Sequence, residues 1–293
     1  MSNPGNLDFY WYAPSHLKKD TARPLVIVLH GCTQTAAGIA NLSDWNNLSD
    51  RYGFYVLYPQ QKITNNISGC FNWFRKHDII KDRGEVATIK NKIDEIMTDY
   101  FIDTNQLFVY GLSAGASMSV ALLANYPSFF NAGAILAGGA YSSDYNVLKG
   151  MLSMSQPKEL SSSTLASAVK DQNPRYSGIY PRVVIIHGKQ DGVVDIRNAY
   201  QVIQQWTCLH ETDTIPNDTI RSFHGNKDIT KYIFENVNQE AVVMFYEVDN
   251  LGHTLMIDPG DGLEQGGNKG VYATDKDFFS TYWIARDFGI VKE

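Results

Sequence analysis

Continuous apolar runs, rather than alternating ones, limit what this chain can fold into. Pro24–Leu29 (PLVIVL), Gln106–Tyr110 (QLFVY), Ala132–Ala137, Arg182–His187 (RVVIIH) and Ala241–Val248 (AVVMFYEV) hold too few polar positions for strands with one face in water. They predict strands covered on both faces, as a parallel sheet requires. Gly53–Tyr58 (GFYVLY) reads as a further strand, ended by Pro59. Segments of helical spacing lie between them. Glu85–Tyr100 puts Ile89, Ile93, Ile96 and Met97 on one face, and Ser113–Ala124 runs until Tyr126-Pro127 stops it. Asn198–Trp206 and the aromatic-rich Asp275–Phe288 complete the pattern. Strand–helix alternation predicts an α/β fold, a doubly wound and mostly parallel sheet with helices on both faces. No repeat, low-complexity tract or linker divides the 293 residues, so a single domain over 1–293 is expected. The stretch 141–180 breaks the alternation and reads as an irregular excursion that forms part of a site rim.

In such sheets ligands sit outside the carboxyl ends of the strands, so each candidate residue can be tested by position. Gly111-Leu112-Ser113-Ala114-Gly115 is a G-x-S-x-G element with a strand leading in and a helix leading out. Small residues must flank a nucleophile on so sharp a turn, and the helix N-terminus favours developing negative charge. A serine hydroxyl needs a base, which should follow a later strand. His253 fits, five residues past Val248. His16, His77, His210 and His224 lie before the first core strand or in polar segments, and His30 and His187 read as loop braces. The acid that orients the base belongs between serine and histidine. Asp191, in the loop after the fifth strand, is the candidate; Asp195 is the runner-up, equally suited to capping the helix that begins near Ile196. Acyl transfer also needs oxyanion donors: the N–H of Ala114, after the nucleophile, and the N–H of Cys32 in the loop Leu29–Thr35.

The formal net charge of −6 and the lack of a dense Lys/Arg cluster argue against a nucleic-acid partner and for a neutral substrate. No apolar run approaches the ~20 residues of a membrane helix. No basic stretch followed by an apolar segment marks a signal peptide. Cys32, Cys70 and Cys208 match no zinc spacing, and no metal or other cofactor is expected. Three cysteines leave at least one thiol unpaired, and their spacing selects no pair.

Several ordered motifs resemble the poly(3-hydroxybutyrate) depolymerase-type esterases, of the α/β-hydrolase fold and related to feruloyl and acetyl-xylan esterases. They are HGCTQTA (His30–Ala36), YPQQ (Tyr58–Gln61), CFNWF (Cys70–Phe74), RGE (Arg83–Glu85), GLSAGASM (Gly111–Met118) and Gly252-His253. The opening Ser2–Leu7 and the closing Tyr282–Ile290 are similar too. The resemblance implies a serine esterase, secreted or periplasmic, acting through an acyl-enzyme on hydroxyalkanoate esters, polymeric or small, or on feruloyl or acetyl-xylan esters. It assigns the triad to Ser113, Asp191 and His253. It also implies a Cys32–Cys70 disulfide, and hence an oxidising compartment. Trp73 and Phe74 are candidates for a substrate-binding wall, with core packing as the competing role; Trp206 and Trp283 are assigned to packing. Ala116, where the family commonly has glycine, the Thr254–Ile257 run after His253 and the lack of a separate polymer-binding domain depart from the pattern and bear on the substrate more than on the chemistry. A serine peptidase and a non-catalytic binding protein are the other readings.

Overall fold

A computed structural model describes residues 2–142 and 146–292. In chain order the elements are β1 (Asp8–Tyr12), β2 (Arg23–Leu29), α1 (Ala36–Ser43), α2 (Trp45–Tyr52), β3 (Tyr55–Gln60), α3 (Lys76–Ile79), α4 (Gly84–Asp99), β4 (Ile102–Leu112), α5 (Ala114–Asn125) and β5 (Ala132–Leu136). Then follow α6 (Val147–Ser155), α7 (Ser162–Lys170), β6 (Arg182–Gly188), α8 (Arg197–Leu209), β7 (Asp218–Arg221), β8 (Ile229–Glu235), β9 (Ala241–Val248), β10 (Leu255–Ile257), β11 (Ala273–Asp275) and α9 (Ser280–Phe288). Nine strands form one sheet in the order β1-β3-β2-β4-β5-β6-β9-β8-β7. Its centre, from β3 through β9, is parallel, while β1 at one edge and β7–β8 at the other run antiparallel. This is the α/β-hydrolase architecture.

The apolar runs explain the layering. Side chains alternate across a strand, so Leu25, Ile27 and Leu29 face one core with α4, α5, α7 and α8. Val26 and Val28 face the other core, with α1, α2 and α9. Burying each such side chain contributes roughly 1.5–3 kcal/mol, so β2 is held by both faces at once.

Three details differ from the sequence reading. Pro59 does not end its strand: β3 continues to Gln60, paired only with β1 beyond Leu57. A residue without an N–H is tolerated where one neighbour has ended. The last helix begins at Ser280, not Asp275, because Asp275 pairs with Ile257 and Asp277 has φ 50°. The 141–180 excursion carries two helices, α6 and α7.

Candidate active site

Ser113 sits between β4 and α5 at φ 57°, ψ −119°, a strained conformation for a residue with a Cβ. The flanking glycines explain how the chain reaches it. A Cβ on Gly111 would lie 2.2 Å from the Gly115 oxygen, and one on Gly115 would lie 2.3 Å from the Leu29 oxygen. Any side chain at either position would drive β4, α5 and the end of β2 apart. Ala116, the departure from the family pattern, is buried, with its methyl 2.5 Å from where Gly138 would carry a Cβ.

At the carboxyl ends of β6 and β9, His253 and Asp191 meet. His253 Nδ1 lies 2.7 Å from Asp191 Oδ2. The other oxygen of Asp191 accepts the N–H groups of Val193 (2.9 Å) and Val194 (2.8 Å). Burial pushes the Asp191 carboxyl up, but the His253 bond and these N–H donors outweigh it and hold the group below the ordinary carboxylate range. Asp191 is therefore an anion at neutral pH, facing the imidazole. Asp195 is elsewhere: it binds the Arg197 side chain at 2.8 and 2.9 Å and caps the Arg197 N–H at the start of α8. His187 braces the acid loop as expected, donating from Nε2 to the Val194 oxygen at 2.8 Å. The two loops are tied by Gln190 N–H to Leu251 O, 3.1 Å.

The loop after β2 approaches the serine from the other side. A Cβ on Gly31 would lie 3.3 Å from Ser113 Cβ. Leu255, two residues past His253, donates to the Tyr272 carbonyl (3.0 Å), and the Tyr272 hydroxyl lies 2.9 Å from Thr33 Oγ1. This links the histidine loop to the loop of Cys32. Among the described residues neither the Cys32 N–H nor the Ala114 N–H has an acceptor, and the Ser113 hydroxyl makes no hydrogen bond. Such bonds often tighten only when substrate is bound.

Cys32 and Cys70 form a disulfide that joins this loop to the one carrying Trp73 and Phe74. Both aromatics are buried. They pack edge to face at 5.4 Å, and a Cβ on Gly150 of α6 would lie 2.5 Å from Phe74 Cβ. Met154 of α6 accepts the Asp195 N–H at 2.8 Å, so α6 spans from the CFNWF loop to the acid loop.

Sequence reasoning missed one buried cluster. Glu85, 1% exposed, accepts Gln61 Nε2–H (2.5 Å), Asn72 N–H (2.8 Å) and Asn72 Nδ2–H (2.6 Å). Burial pushes its carboxyl up, while the N–H donors on both of its oxygens oppose this and favour the anion. The signal was available, because Glu85, Ile89 and Ile93 fall at i, i+4, i+8 on the apolar face of α4.

The sheet, the serine elbow and the histidine–aspartate pair define a serine hydrolase of the α/β-hydrolase fold, and the relatives make it a carboxylic-ester hydrolase. The chain belongs to the esterase PHB depolymerase family, whose sequence model matches residues 7–217. It is 35% identical over 292 residues to poly(3-hydroxyalkanoate) depolymerase C of Paucimonas lemoignei, covering 99% of this chain and 68% of that one. It is 25% identical over 263 residues to feruloyl esterase B of Talaromyces funiculosus, covering 87% and 71%. The structure of acetyl xylan esterase from Aspergillus awamori superposes with a TM-score of 0.77 at 26% identity, covering 86% of this chain and 90% of that one.

Proposed function

We propose that the protein cleaves hydroxyalkanoate esters, polymeric or oligomeric, through an acyl-enzyme on Ser113. The observation that carries this reading is the 2.7 Å bond between His253 Nδ1 and Asp191 Oδ2 at the same sheet edge as the serine elbow. His253 Nε2 takes the Ser113 proton as the oxygen attacks the ester carbonyl. The N–H groups of Cys32 and Ala114 hold the oxyanion. Collapse expels the alcohol, which leaves with that proton. Water then attacks the acyl-enzyme with His253 again as base, releasing the acid and restoring the serine. Asp191 fixes the tautomer and stabilises the imidazolium.

Similarity to the polyhydroxyalkanoate depolymerase over 99% of this chain, at higher identity than to the feruloyl and acetyl xylan esterases, supports that substrate over feruloyl or acetyl-xylan esters. Trp73 and Phe74 form the buried base of a binding wall whose outer layer is α6, with Leu148, Met151 and Leu152 exposed. One catalytic domain spans the chain. The disulfide fits a secreted or periplasmic enzyme; among the described residues no helix is long and apolar enough to cross a membrane. A panel of hydroxybutyrate oligomers, feruloyl esters and acetylated xylan tests the substrate. Higher kcat/KM on feruloyl or acetyl esters would replace it. Labelling by a p-nitrophenyl phosphonate tests the nucleophile, and a label on any residue other than Ser113 removes the mechanism.

A further inference from the structure

Four distinctive segments that carry no catalytic residue meet at Glu85. The YPQQ segment supplies Gln61, the CFNWF segment Asn72, the RGE segment Glu85 itself, and the opening segment Gly5, whose N–H binds Thr88 Oγ1 one turn further along α4 at 2.7 Å. A surface ester hydrolase has no evident need for a buried carboxylate here, since desolvating one without a purpose is costly. The hydrogen bonds lead to the oxyanion loop.

Glu85 accepts from the Gln61 side chain, and the Gln61 backbone N–H donates to His30 Nε2 at 3.1 Å. A backbone N–H can only donate, so Nε2 is the acceptor and Nδ1 carries the ring proton. His30 Nδ1–H must then donate to the Gly31 carbonyl oxygen, 2.7 Å away. That carbonyl and the Cys32 N–H belong to one planar trans peptide and point in opposite directions. Gripping the oxygen therefore aims the N–H. The disulfide tethers Cys32 without fixing this plane; the short His30 bond fixes it, helped by a longer one from the Gln34 N–H to the same oxygen at 3.3 Å. The Gly31 N–H is held separately by Gln34 Oε1 at 2.6 Å.

We infer that Glu85 is a positioning residue for ester hydrolysis, setting the direction of the Cys32 N–H through Gln61, His30 and the Gly31 carbonyl. This rests on the reading of Ser113 and Cys32 above. It predicts a role in the transition state only, because the oxyanion forms there and the ground-state ester does not need the donor.

Glu85→Gln tests it. An amide has one oxygen, and either placement of it sets an N–H against at least one of the three donors, so size is kept and fit is lost. On a p-nitrophenyl ester, kcat should fall about tenfold with KM within about twofold. Ile93→Val, buried on the same helix, should leave kcat unchanged. Gln61→Met, which removes the bond to Glu85 and keeps the N–H to His30, should give the same split with a smaller drop, and it carries the test if Glu85→Gln does not fold. A lowered melting temperature with full kcat, or a raised KM at constant kcat, overturns the assignment. Wild-type enzyme that neither turns over ester nor takes a phosphonate at Ser113 overturns the underlying reading instead; labelled wild type beside a fully active Glu85→Gln overturns only the role of Glu85.

Discussion

On the side of Asp191 and His253, the loops after β6 and β9 are pinned by buried Val194 and Leu251 and by non-covalent bonds such as His187 to the Val194 oxygen, with Val193 left 56% exposed. On the side of Cys32, the loop after β2 is tied by a disulfide, by Thr33 N–H to Ser68 O at 2.8 Å and by the buried His30 ring. The contrast follows from what each side presents. An imidazole and a carboxylate find each other by charge and a short bond, and side-chain rotation corrects small errors. A backbone N–H has no rotamer. Its direction is the direction of the chain, so everything around it must be fixed.

The largest expected effect breaks the acid–base side at its target. Ser113→Ala should lower kcat by on the order of 10⁶. The fold should persist, since alanine keeps the same Cβ and the same strain at φ 57°; circular dichroism and a melting curve check both. Asp191→Asn should lower kcat by about 10⁴ by allowing the wrong tautomer, with the fold retained. If kcat instead drops less than about tenfold, Asp191 does not orient the base.

The clamped side should respond in stability as well as rate. Replacing Cys32 and Cys70 by serine opens a loop closed across a sequence separation of 38, costing about 3–4 kcal/mol in the chain-entropy picture. Urea unfolding measures that cost, and kcat should fall while KM holds. A double variant with unchanged kcat would mean that the hydrogen bonds alone suffice. His30 gives a pH signature. Burial pushes its ring down to about 4, with the Gly31 bond opposing. Its folded value lies below the ordinary 6.5, so the unfolded chain takes the proton first. The neutral ring's contribution is thus complete above 6.5 and fades as pH falls toward 4, by about 3 kcal/mol in all. The stability gap between wild type and His30→Asn should narrow over that window; a constant gap would refute the buried neutral ring. The smallest effect sharpens the choice of acid. Asp195→Ala should change kcat by less than about threefold and cost about 0.5–1 kcal/mol as a lost cap.

The sequence made the parallel core legible because Val, Ile and Leu runs admit few other placements. Ser113, Asp191 and His253 could be proposed from sequence because sites in such sheets lie after strand ends, and the structure does place the loops of Asp191 and His253 after β6 and β9. β7 and β8 were not read. β8 is buried in part on one face and β7 is exposed throughout, so neither forms an apolar run. The Glu85 cluster escaped for another reason: its members lie 11 to 24 positions apart in the chain (61, 72 and 85), and only tertiary contact makes them one group. Trp73 and Phe74 could be read as wall or core from sequence, and both are buried under α6, which the sequence did not announce.

The outermost strand on the far side of the sheet, β7, is four residues long, with Asp218 and Arg221 at its ends. Its brevity and its charges leave no long, flat row of free amides on which another chain could align. At this border, a sheet built from water-averse strands ends in a segment too short and too charged to template strand-to-strand growth.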